Sequence, residues 1–354
     1  MKRIFLRRLI LSLLLAGRLV VGAPAVHGQA KIDLDDGRWV SIGGGLRATF
    51  RATEQPDNTY TKNFDLDNAR LYINSQIHEF LTIEFNTEYV QSSSDIRVLD
   101  GVAKFSPSEY FSLWAGRHLP PSDRANLDGP FYLAAYEYPG LVSRYPAIFA
   151  GRDDGVSVSG QVGGGVFKYA VGAYEGIPAA AGQGDSSLYA ARVTYNFLDP
   201  EPGYYTTSTY YGDKDVLAIA FVVQFQNEAI ESASTTRENF RGYNFDLLFE
   251  KKLPNDGVLS LEGAYYDYDL GGATGEGNAY LAQAGYLLPR KIGIGQIQPM
   301  IRFQEFEGDS IFDAGFNYVI RGHGARVSLM YSRREFGPDD TRRNHIVVGT
   351  QFQF

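Results

Sequence analysis

Residues 117–153 read RHLPPSDRANLDGPFYLAAYEYPGLVSRYPAIFAGRD and interrupt a chain that otherwise alternates between apolar and polar residues. The segment carries five prolines and shows no sustained alternation, so it is not a strand. A connection of this length without regular structure is uncommon in a compact domain and is usually functional. Its aromatic residues lie among Arg124, Arg144 and Arg152. This mixture indicates a packed segment with a charged edge, which folds back onto the structure built by its flanks.

The sequence on either side of this segment has the period of a β-strand. Phe111, Leu113 and Ala115 precede it at a spacing of two, and Val156 and Val158 follow it at the same spacing. The clearest run is LTIEFNTEY at 81–89, where residues 81, 83, 85 and 89 are apolar or aromatic and the even positions carry Thr, Glu and Asn. About sixteen such runs occur along the chain: 40–51, 70–77, 81–89, 96–105, 110–116, 154–162, 166–175, 187–197, 215–227, 240–251, 258–269, 278–289, 297–306, 311–321, 324–335 and 343–354.

The connections between these runs alternate in length. One set is mostly long and polar: 54–64, 117–153, 176–186, 229–239, 270–277 and 336–342. The other set is mostly short: residue 80 with its neighbours, 106–108, 163–165, 252–257 and 322–323, with 198–214 as the exception. An even strand count with long loops on one side is typical of a transmembrane antiparallel β-barrel. We therefore predict an all-β barrel of about sixteen strands, with 117–153 as the third external loop folded into the lumen.

A soluble β-sandwich is the alternative architecture. Its strands would turn apolar faces toward a dry core about 10 Å thick. The second face of the strands here carries Glu, Asn, Gln and Arg instead, which suits a wet lumen. The composition of 24 Tyr, 23 Phe and 39 Gly against 3 Met also favours strands with aromatic belts and tight turns.

The N-terminus has the pattern of an export signal. Four basic residues precede the apolar run 9–15, and small residues follow. We predict a signal peptide over 1–30, cleaved after Ala25 or Ala30, and a single barrel domain over 31–354. The alternative, an amphipathic membrane anchor, is interrupted by Arg18 and Pro24. Cleavage would leave 28 basic against 41 acidic residues, a balance that excludes nucleic acid as a partner.

Placing the apolar faces toward lipid assigns the charged residues to the lumen, because a charge on the lipid face costs about 2–4 kcal/mol at the midplane. The basic residues predicted to face inward are Arg47, Arg51, Arg70, Lys104, Lys168, Arg192, Arg302, Arg321, Arg326 and Arg334. The acidic ones are Glu84, Glu88, Asp100, Asp246, Glu250, Glu262 and Asp313. This balance leans toward anions, since guanidinium groups offer forked donors to oxyanions. In the alternative interpretation, most of these cations pair with neighbouring carboxylates and only solvate the wall.

Several runs resemble the phosphate-selective porin O/P family of bacterial outer-membrane porins. They are FDLDNARLYINSQIHEFLTIEFNTEYV, VLDGVAKFSPSEYFSLWAGRHLPPSDRANL, RDDGVSVSGQVGGGVFKYAVGAYEG and the last strand, in order over most of the chain after residue 30. The resemblance implies a sixteen-stranded homotrimeric porin with a constricting third loop and basic residues lining the pore. The chain departs from the family pattern at Glu84 and Glu88 and in its overall excess of acidic residues. These features lower the positive charge that the family pattern implies for the lumen.

The resulting functional hypothesis is an integral outer-membrane porin that passes small hydrophilic solutes, modestly prefers anions and admits phosphate or another oxyanion. The predicted pore-lining or anion-binding residues are Arg47, Arg51, Arg70, Lys104, Arg124, Arg144, Arg152, Arg192 and Arg302. Phe354 ends an amphipathic last strand and resembles the signal read by the barrel-assembly machinery of the outer membrane. The alternative function is a structural sheath that holds a periplasmic or cytochrome partner and conducts no solute.

Enzyme and metal functions find no support in the sequence. Cysteine is absent, so disulfides and thiolate metal sites are excluded. The five histidines show no metal-ligand spacing, and GVSVSG at 155–160 lacks the spacing of a nucleophile elbow. We expect no catalytic residues, no metal and no cofactor. The expected partners are outer-membrane lipid, the assembly machinery, further copies of the chain and small anions as solutes.

Overall fold

The computed structural model describes residues 29–91, 93–178, 186–231, 237–273, 275–337 and 341–354. Sixteen long antiparallel strands form one closed barrel in which each strand pairs with its neighbours in sequence. The last strand closes the barrel on the first long one, from the pair His345 and Thr53 to the pair Gln353 and Gly45. Closure gives each of the sixteen long strands a paired neighbour on both sides, which is the condition for spanning a membrane with strands. The all-β barrel with sixteen strands is therefore confirmed.

The strands have the following bounds: β1 (Ala30–Asp33), β2 (Trp39–Glu54), β3 (Tyr60–His78), β4 (Leu81–Val90), β5 (Asp95–Ser108), β6 (Phe111–His118), β7 (Asp153–Val162), β8 (Phe167–Tyr174), β9 (Leu188–Asn196), β10 (Val216–Glu231), β11 (Arg237–Lys252), β12 (Val258–Asp269), β13 (Gly277–Leu287), β14 (Lys291–Ile292), β15 (Gly295–Phe306), β16 (Asp309–Arg321), β17 (Ala325–Phe336) and β18 (Thr341–Gln353). The short strands β1 and β14 extend the sheet at its edge and do not span the barrel. The helix α1 (Arg124–Tyr132) lies in the connection after β6.

The two faces of the wall separate as the alternation predicts. Large apolar side chains such as Phe85, Val171, Phe221, Phe303 and Val348 are exposed on the outside. Arginine, glutamate, glutamine and asparagine side chains of the same strands are buried on the inside. Among the described residues, no helix is long and apolar enough to cross a membrane. The exposed apolar belt identifies the strands as the elements that contact lipid.

Two predicted loops are shorter than expected. The sequence assigned 54–64 and 229–239 to loops, but β3 begins at Tyr60, β10 reaches Glu231 and β11 begins at Arg237. Polar residues here pair across the ladder, as Thr53 does with Thr61. Strands that rise above the lipid need no apolar face, because their backbone hydrogen bonds suffice and both faces contact water. The polar composition therefore marks a strand end as well as a loop.

Arg321, which the sequence placed in the lumen, is exposed. The pairing of β16 with β17 shifts register between Val319 and Arg321. An extra residue at such an irregularity turns the following side chain to the other face of the strand. The predicted signal peptide, apart from residues 29 and 30, lies outside the described residues and stays a prediction.

The connection after β6, residues 119–152, enters the barrel, and we call it the inward loop. It contains helix α1, where the sequence predicted no regular structure. The helix follows Asp123, with the first bond from the Leu127 amide to the Asp123 carbonyl at 3.1 Å. Gly129 has φ +60° and ψ 177°, a conformation almost restricted to glycine. This bend, followed by Pro130, ends the first part of the helix and turns the chain across the lumen.

A second segment, residues 197–215 between β9 and β10, also enters the lumen, and we call it the plug segment. Glu201 and the run from Thr206 to Thr209 are buried, although they belong to the set of connections that is otherwise short. The Ser208 amide donates to the Tyr132 carbonyl at 3.1 Å, so the plug segment contacts the inward loop. The lumen is therefore crossed from both ends.

The interior contains apolar packing as well as polar groups. Val142 of the inward loop packs in a cluster with Leu188, Phe240, Tyr266 and Tyr268 of the wall. A second cluster joins Ala134, Ala135 and Tyr136 of the loop to Met300, Met330 and Val347. Both clusters bury apolar surface that faces the axis, which stabilises the docked loop. The lumen is thus wet only in part, since the side formed by β10 to β13 is filled.

Candidate functional site

The inward loop is held by side chains of the wall that donate to its carbonyl groups. The Arg302 Nη1 donates to the Glu137 carbonyl at 2.6 Å, and the Arg326 Nη1 donates to the Leu133 carbonyl at 2.6 Å. Further donors and acceptors, from strands around the barrel, are Arg47 to Tyr136, Gln224 to Pro121, Asn317 to Ala134 and Gln351 to Phe131. These bonds satisfy peptide groups that would otherwise be buried without partners. Part of the basic wall therefore serves to fix the loop.

Arg124 joins the inward loop to the plug segment. Its guanidinium makes a forked pair with Glu201, at 2.8 Å and 2.6 Å, and donates to the Thr207 carbonyl at 3.0 Å. Both side chains of the pair are at most 1% exposed. Asp246 of β11 lies 3.9 Å away and pairs more closely with Arg192. The group is a buried ionic junction between two segments that are 77 residues apart in sequence.

The Arg70 cavity lies at the end of the barrel that carries the long connections, which we call the loop side. It is bounded by β2, β3, β4 and the inward loop. It has a volume of about 450 Å³ and is lined by charged, amide and aromatic side chains. Arg70 pairs with Glu88, and Arg152 lines the opposite side. Three basic residues (Arg47, Arg70 and Arg152) stand against two acidic ones (Asp67 and Glu88) in its lining. The cavity therefore has a small positive excess.

The Arg302 cavity lies on the other side of the same part of the inward loop and measures about 340 Å³. Arg51 pairs with Asp65, Asp67 and Glu137, while Arg302 pairs with Asp313 at 2.8 Å. Its lining contains four basic residues (Arg47, Arg51, Arg302 and Arg334) and three acidic ones (Asp67, Glu137 and Asp313). The excess charge is again positive. Arg47 lines both loop-side cavities and makes no ion pair within 4.0 Å among the described residues.

The Lys168 cavity opens at the other end of the barrel, where most connections are short turns, which we call the turn side. It measures about 280 Å³. Its basic residues are Lys104, Lys168 and Arg192, and its one acidic lining residue is Glu109. Lys104 pairs with Glu84 and lies 3.7 Å from the centre of the Trp114 ring. Trp114, Pro121, Leu127, Ala170 and Tyr204 supply apolar surface. This is the cavity with the largest excess of positive charge.

The structure brings seven of the nine predicted basic residues to these cavities: Arg47, Arg51, Arg70, Lys104, Arg152, Arg192 and Arg302. Arg124 lies instead in the buried junction. Arg144 is exposed at the loop end, where its guanidinium lies 4.4 Å from the Phe306 ring centre. Seven of the nine pair with carboxylates within 4.0 Å, and Arg47 and Arg144 are the two without such a pair among the described residues. The alternative interpretation, pairing with neighbouring carboxylates, thus applies to most of them.

Two carboxylates of the inward loop are buried in the lumen. Asp123 accepts from the Tyr266 hydroxyl at 2.8 Å and from Ser143 at 2.9 Å, and burial raises the pKa of this loop carboxyl to about 6. Asp128 accepts from Ser208 at 2.9 Å, and burial raises its pKa well above the usual range. Both groups belong to the inward loop, and Ser143, which donates to Asp123, also lines the Arg70 cavity.

Sequence reasoning missed the plug segment, and it left Lys168, which it correctly placed in the lumen, out of the predicted anion-binding residues. The long exception at 198–214 was the available signal, because the other connections on that side are short. Phe354 is exposed, and its backbone exchanges hydrogen bonds with Gly44 at 3.1 Å and 3.0 Å, so the last residue continues the closing ladder. Within the described residues, no cluster of three or more His, Asp or Glu side chains could hold a metal ion.

The fold is similar to that of several bacterial outer-membrane proteins. OmpF of Salmonella typhi, in complex with daunomycin, has 12% sequence identity over 92% of this chain and all of its own, with a TM-score of 0.60. A loop L8 deletion mutant of OmpT, an outer-membrane protein of Vibrio cholerae, has 14% identity over 90% of this chain and all of its own, with a TM-score of 0.59. The anion-selective porin from Comamonas acidovorans has 11% identity over 90% of this chain and all of its own, with a TM-score of 0.58.

These similarities establish the architecture, which is that of integral proteins of the bacterial outer membrane. No protein-family model matches the sequence. No curated protein matches it either.

Proposed function

We propose that this protein is an outer-membrane porin that passes small hydrophilic solutes by passive diffusion, with a modest preference for anions that includes oxyanions such as phosphate. The observation that supports the preference is the presence, in the cavity linings, of two cations without a carboxylate within 4.0 Å among the described residues, Arg47 on the loop side and Lys168 on the turn side. Rings of basic side chains in a low-dielectric wall raise the local concentration of anions. The other lining cations each have a carboxylate within 4.0 Å, so the preference is small.

Arg47 is the residue best placed to produce this preference. It lines both loop-side cavities and lacks an ion pair, so its charge is not cancelled by a close carboxylate. Its guanidinium lies 4.0 Å from the Tyr136 ring centre and donates to Asn68 at 2.8 Å. These contacts hold the charge at the boundary between the two cavities. Paired cations such as Arg302 contribute less, because their partners lie within 3 Å.

Planar-bilayer recording in a KCl gradient tests the proposal. Purified protein is expected to give stepwise openings and a reversal potential on the anion side. Arg47→Gln is expected to move that potential toward the cation side, whereas Arg47→Lys keeps it. Arg144→Gln is the matched control, since Arg144 also lacks an ion pair but lies exposed at the loop end. A silent barrel would refute the porin function, and equal shifts for both glutamine variants would refute the role of Arg47.

The occupied lumen bears on the sheath alternative. A protein partner threaded through the barrel would have to displace both the inward loop and the plug segment, which are held by the bonds described above. Small solutes need only the cavities beside these segments. The geometry therefore favours solute passage over a sheath.

The same proposal includes a membrane-embedded homotrimer. One structure with this fold, OmpT of Vibrio cholerae folded in vitro, is described as a trimer form and has a TM-score of 0.55. Chemical crosslinking in mild detergent is expected to give a ladder that ends at three copies. A ladder that stops at one copy would refute the trimer and leave the pore proposal intact. Barrel-assembly machinery and outer-membrane lipid are the further partners that we propose.

A further inference from the structure

We propose that the Lys168 cavity is a binding site for a small monocarboxylate with an aromatic or similarly flat apolar body. This inference rests on the proposed porin function, because it names a solute class that the turn side of the pore retains. The site combines apolar rings with a buried ammonium group that has no hydrogen-bond partner within the described residues.

The first observation is the isolation of the Lys168 ammonium group. The residue is 7% exposed, and its Nζ makes no hydrogen bond within the described part of the chain. An ammonium group carries three donors, and burying it without an acceptor is costly. A protein position of this kind indicates an acceptor that comes from outside the chain. A carboxylate supplies two acceptor oxygens and the opposite charge.

The second observation is the charge balance around this group. Each neighbouring cation has its own partner: Lys104 pairs with Glu84, Arg192 with Asp246, and Arg124 with Glu201. Lys168 alone among these four cations has none. Glu109, the one acidic lining residue, is exposed at the turn, so the buried part of the site keeps one positive charge, which matches a monoanion. A dianion such as phosphate would bring a second negative charge, and the other three cations are already paired with carboxylates.

The third observation is the shape and chemistry of the walls. The Trp114 ring lies 4.6 Å from the Tyr204 ring and 5.8 Å from the Tyr205 ring, measured between centres. Tyr204 donates to the Leu119 carbonyl at 2.8 Å and Trp114 to Ser112 at 2.8 Å, so both rings are fixed in orientation. Fixed rings bind flat apolar groups through their faces and edges. Inorganic anions gain nothing from such walls.

The volume sets the size of the ligand. Pockets for drug-sized molecules begin at about 300 Å³. The 280 Å³ of this cavity therefore fits one ring with a short carboxylate arm. Hydroxyl groups of Ser112, Ser159 and Thr194 also line it and can donate to a carboxylate that reaches Lys168.

Tryptophan fluorescence of the full-length barrel tests this assignment without relying on transport. The chain has two tryptophans, so Trp39→Phe leaves Trp114 as the only tryptophan, and excitation at the red edge of the absorption band avoids the tyrosines. Benzoate is expected to change its emission at concentrations at least tenfold below those needed for acetate or inorganic phosphate. Adding Lys168→Gln is expected to lower the affinity for benzoate at least tenfold. Lys168→Arg in its place is expected to keep most of that affinity.

Lys62→Gln in the same background is the matched control, since Lys62 is exposed at the loop end of β3. Loss of heat-modifiable mobility on gels identifies a variant that fails to form the barrel, and Lys168→Met, which also removes the charge, then carries the comparison. Phosphate binding as tight as benzoate, or a benzoate response that persists in Lys168→Gln, would overturn the assignment. Conductance of the unliganded barrel in KCl is measured separately. A barrel that binds benzoate but never conducts would refute the pore and leave the site.

Discussion

Breaking the Arg124–Glu201 junction is expected to release the inward loop from the plug segment. Arg124→Met removes the cation and leaves Glu201 buried with a full charge. Breaking one side of a buried ion pair costs about 3–5 kcal/mol, because the remaining charge has lost its partner. Glu201 can reach water when the plug segment undocks, so the substitution mainly weakens the free energy of docking. Each 1.4 kcal/mol changes an equilibrium constant tenfold, so the undocked fraction is expected to rise by about 10²-fold to 10⁴-fold.

Thiol labelling measures this fraction, because the chain contains no cysteine. Ala125→Cys places one thiol on α1 at a position that is 1% exposed. With the junction intact, labelling by a water-soluble maleimide is expected to be slow, and Arg124→Met is expected to accelerate it by at least 10²-fold. The double variant Arg124→Met, Glu201→Gln removes the stranded charge and is expected to return most of the protection.

A thiol at the exposed residue Ser93 is the control and is expected to label quickly in every background. An unchanged labelling rate at position 125 in Arg124→Met would refute the junction as the element that holds the two segments together. Faster labelling in the double variant than in Arg124→Met would refute the explanation by a stranded charge. Either result would leave the barrel itself unaffected, since neither residue belongs to a strand.

Three further predictions concern the loop and the chain end. Gly129→Ala is expected to destabilise the docked loop by about 1–3 kcal/mol, because an alanine is strained at φ +60° and ψ 177°. The thiol at position 125 would then label faster, and an unchanged rate would contradict this prediction. Burial raises the pKa of Asp123 from 3.8 to about 6, so its carboxyl binds a proton more tightly in the docked loop than in the undocked loop. The docked state therefore loses stability as the pH rises from about 4 to above 6. Asp123→Asn is expected to reduce this pH dependence of labelling, and Asp128, whose pKa burial also raises, accounts for the remainder. Phe354→Asp is expected to lower the amount of barrel in the outer membrane, measured by blotting, whereas Gln353→Glu is the control at a neighbouring position.

The strand pattern was predictable because the period-two alternation is a local property. All sixteen predicted runs overlap the long strands, and the third loop enters the lumen as its prolines, aromatics and arginines indicated. Strand ends were less predictable, as at Tyr60, because polar residues suit both a loop and a ladder that rises into water. Arg321 shows a second limit: one register shift near Val319 reverses a side chain, and nothing in the alternation marks that shift.

The role of each charged residue depends on partners that are distant in sequence. Arg124 and Arg152 belong to the same segment and look equivalent there, yet Arg124 pairs with Glu201 in a buried junction and Arg152 lines a cavity beside Asp100. The plug segment gives no local sign of burial, since Thr206 to Thr209 form a polar run typical of an exposed turn. Its position is set by acceptors on the inward loop and on β11, which only the closed barrel brings together.

Counting basic residues therefore overstates the positive charge that a solute would meet. Ten basic positions were expected to face inward, but most of those have a carboxylate within 4.0 Å, and Arg302 and Arg326 use part of their hydrogen bonding to hold loop carbonyls. A paired cation attracts a distant anion weakly, because the field of the pair falls off faster than that of a single charge. Selectivity in such a lumen is governed by the few cations without partners at a cavity wall, Arg47 on the loop side and Lys168 on the turn side. Substituting either one is thus expected to change selectivity more than substituting Arg192, whose charge Asp246 balances at 2.6 Å.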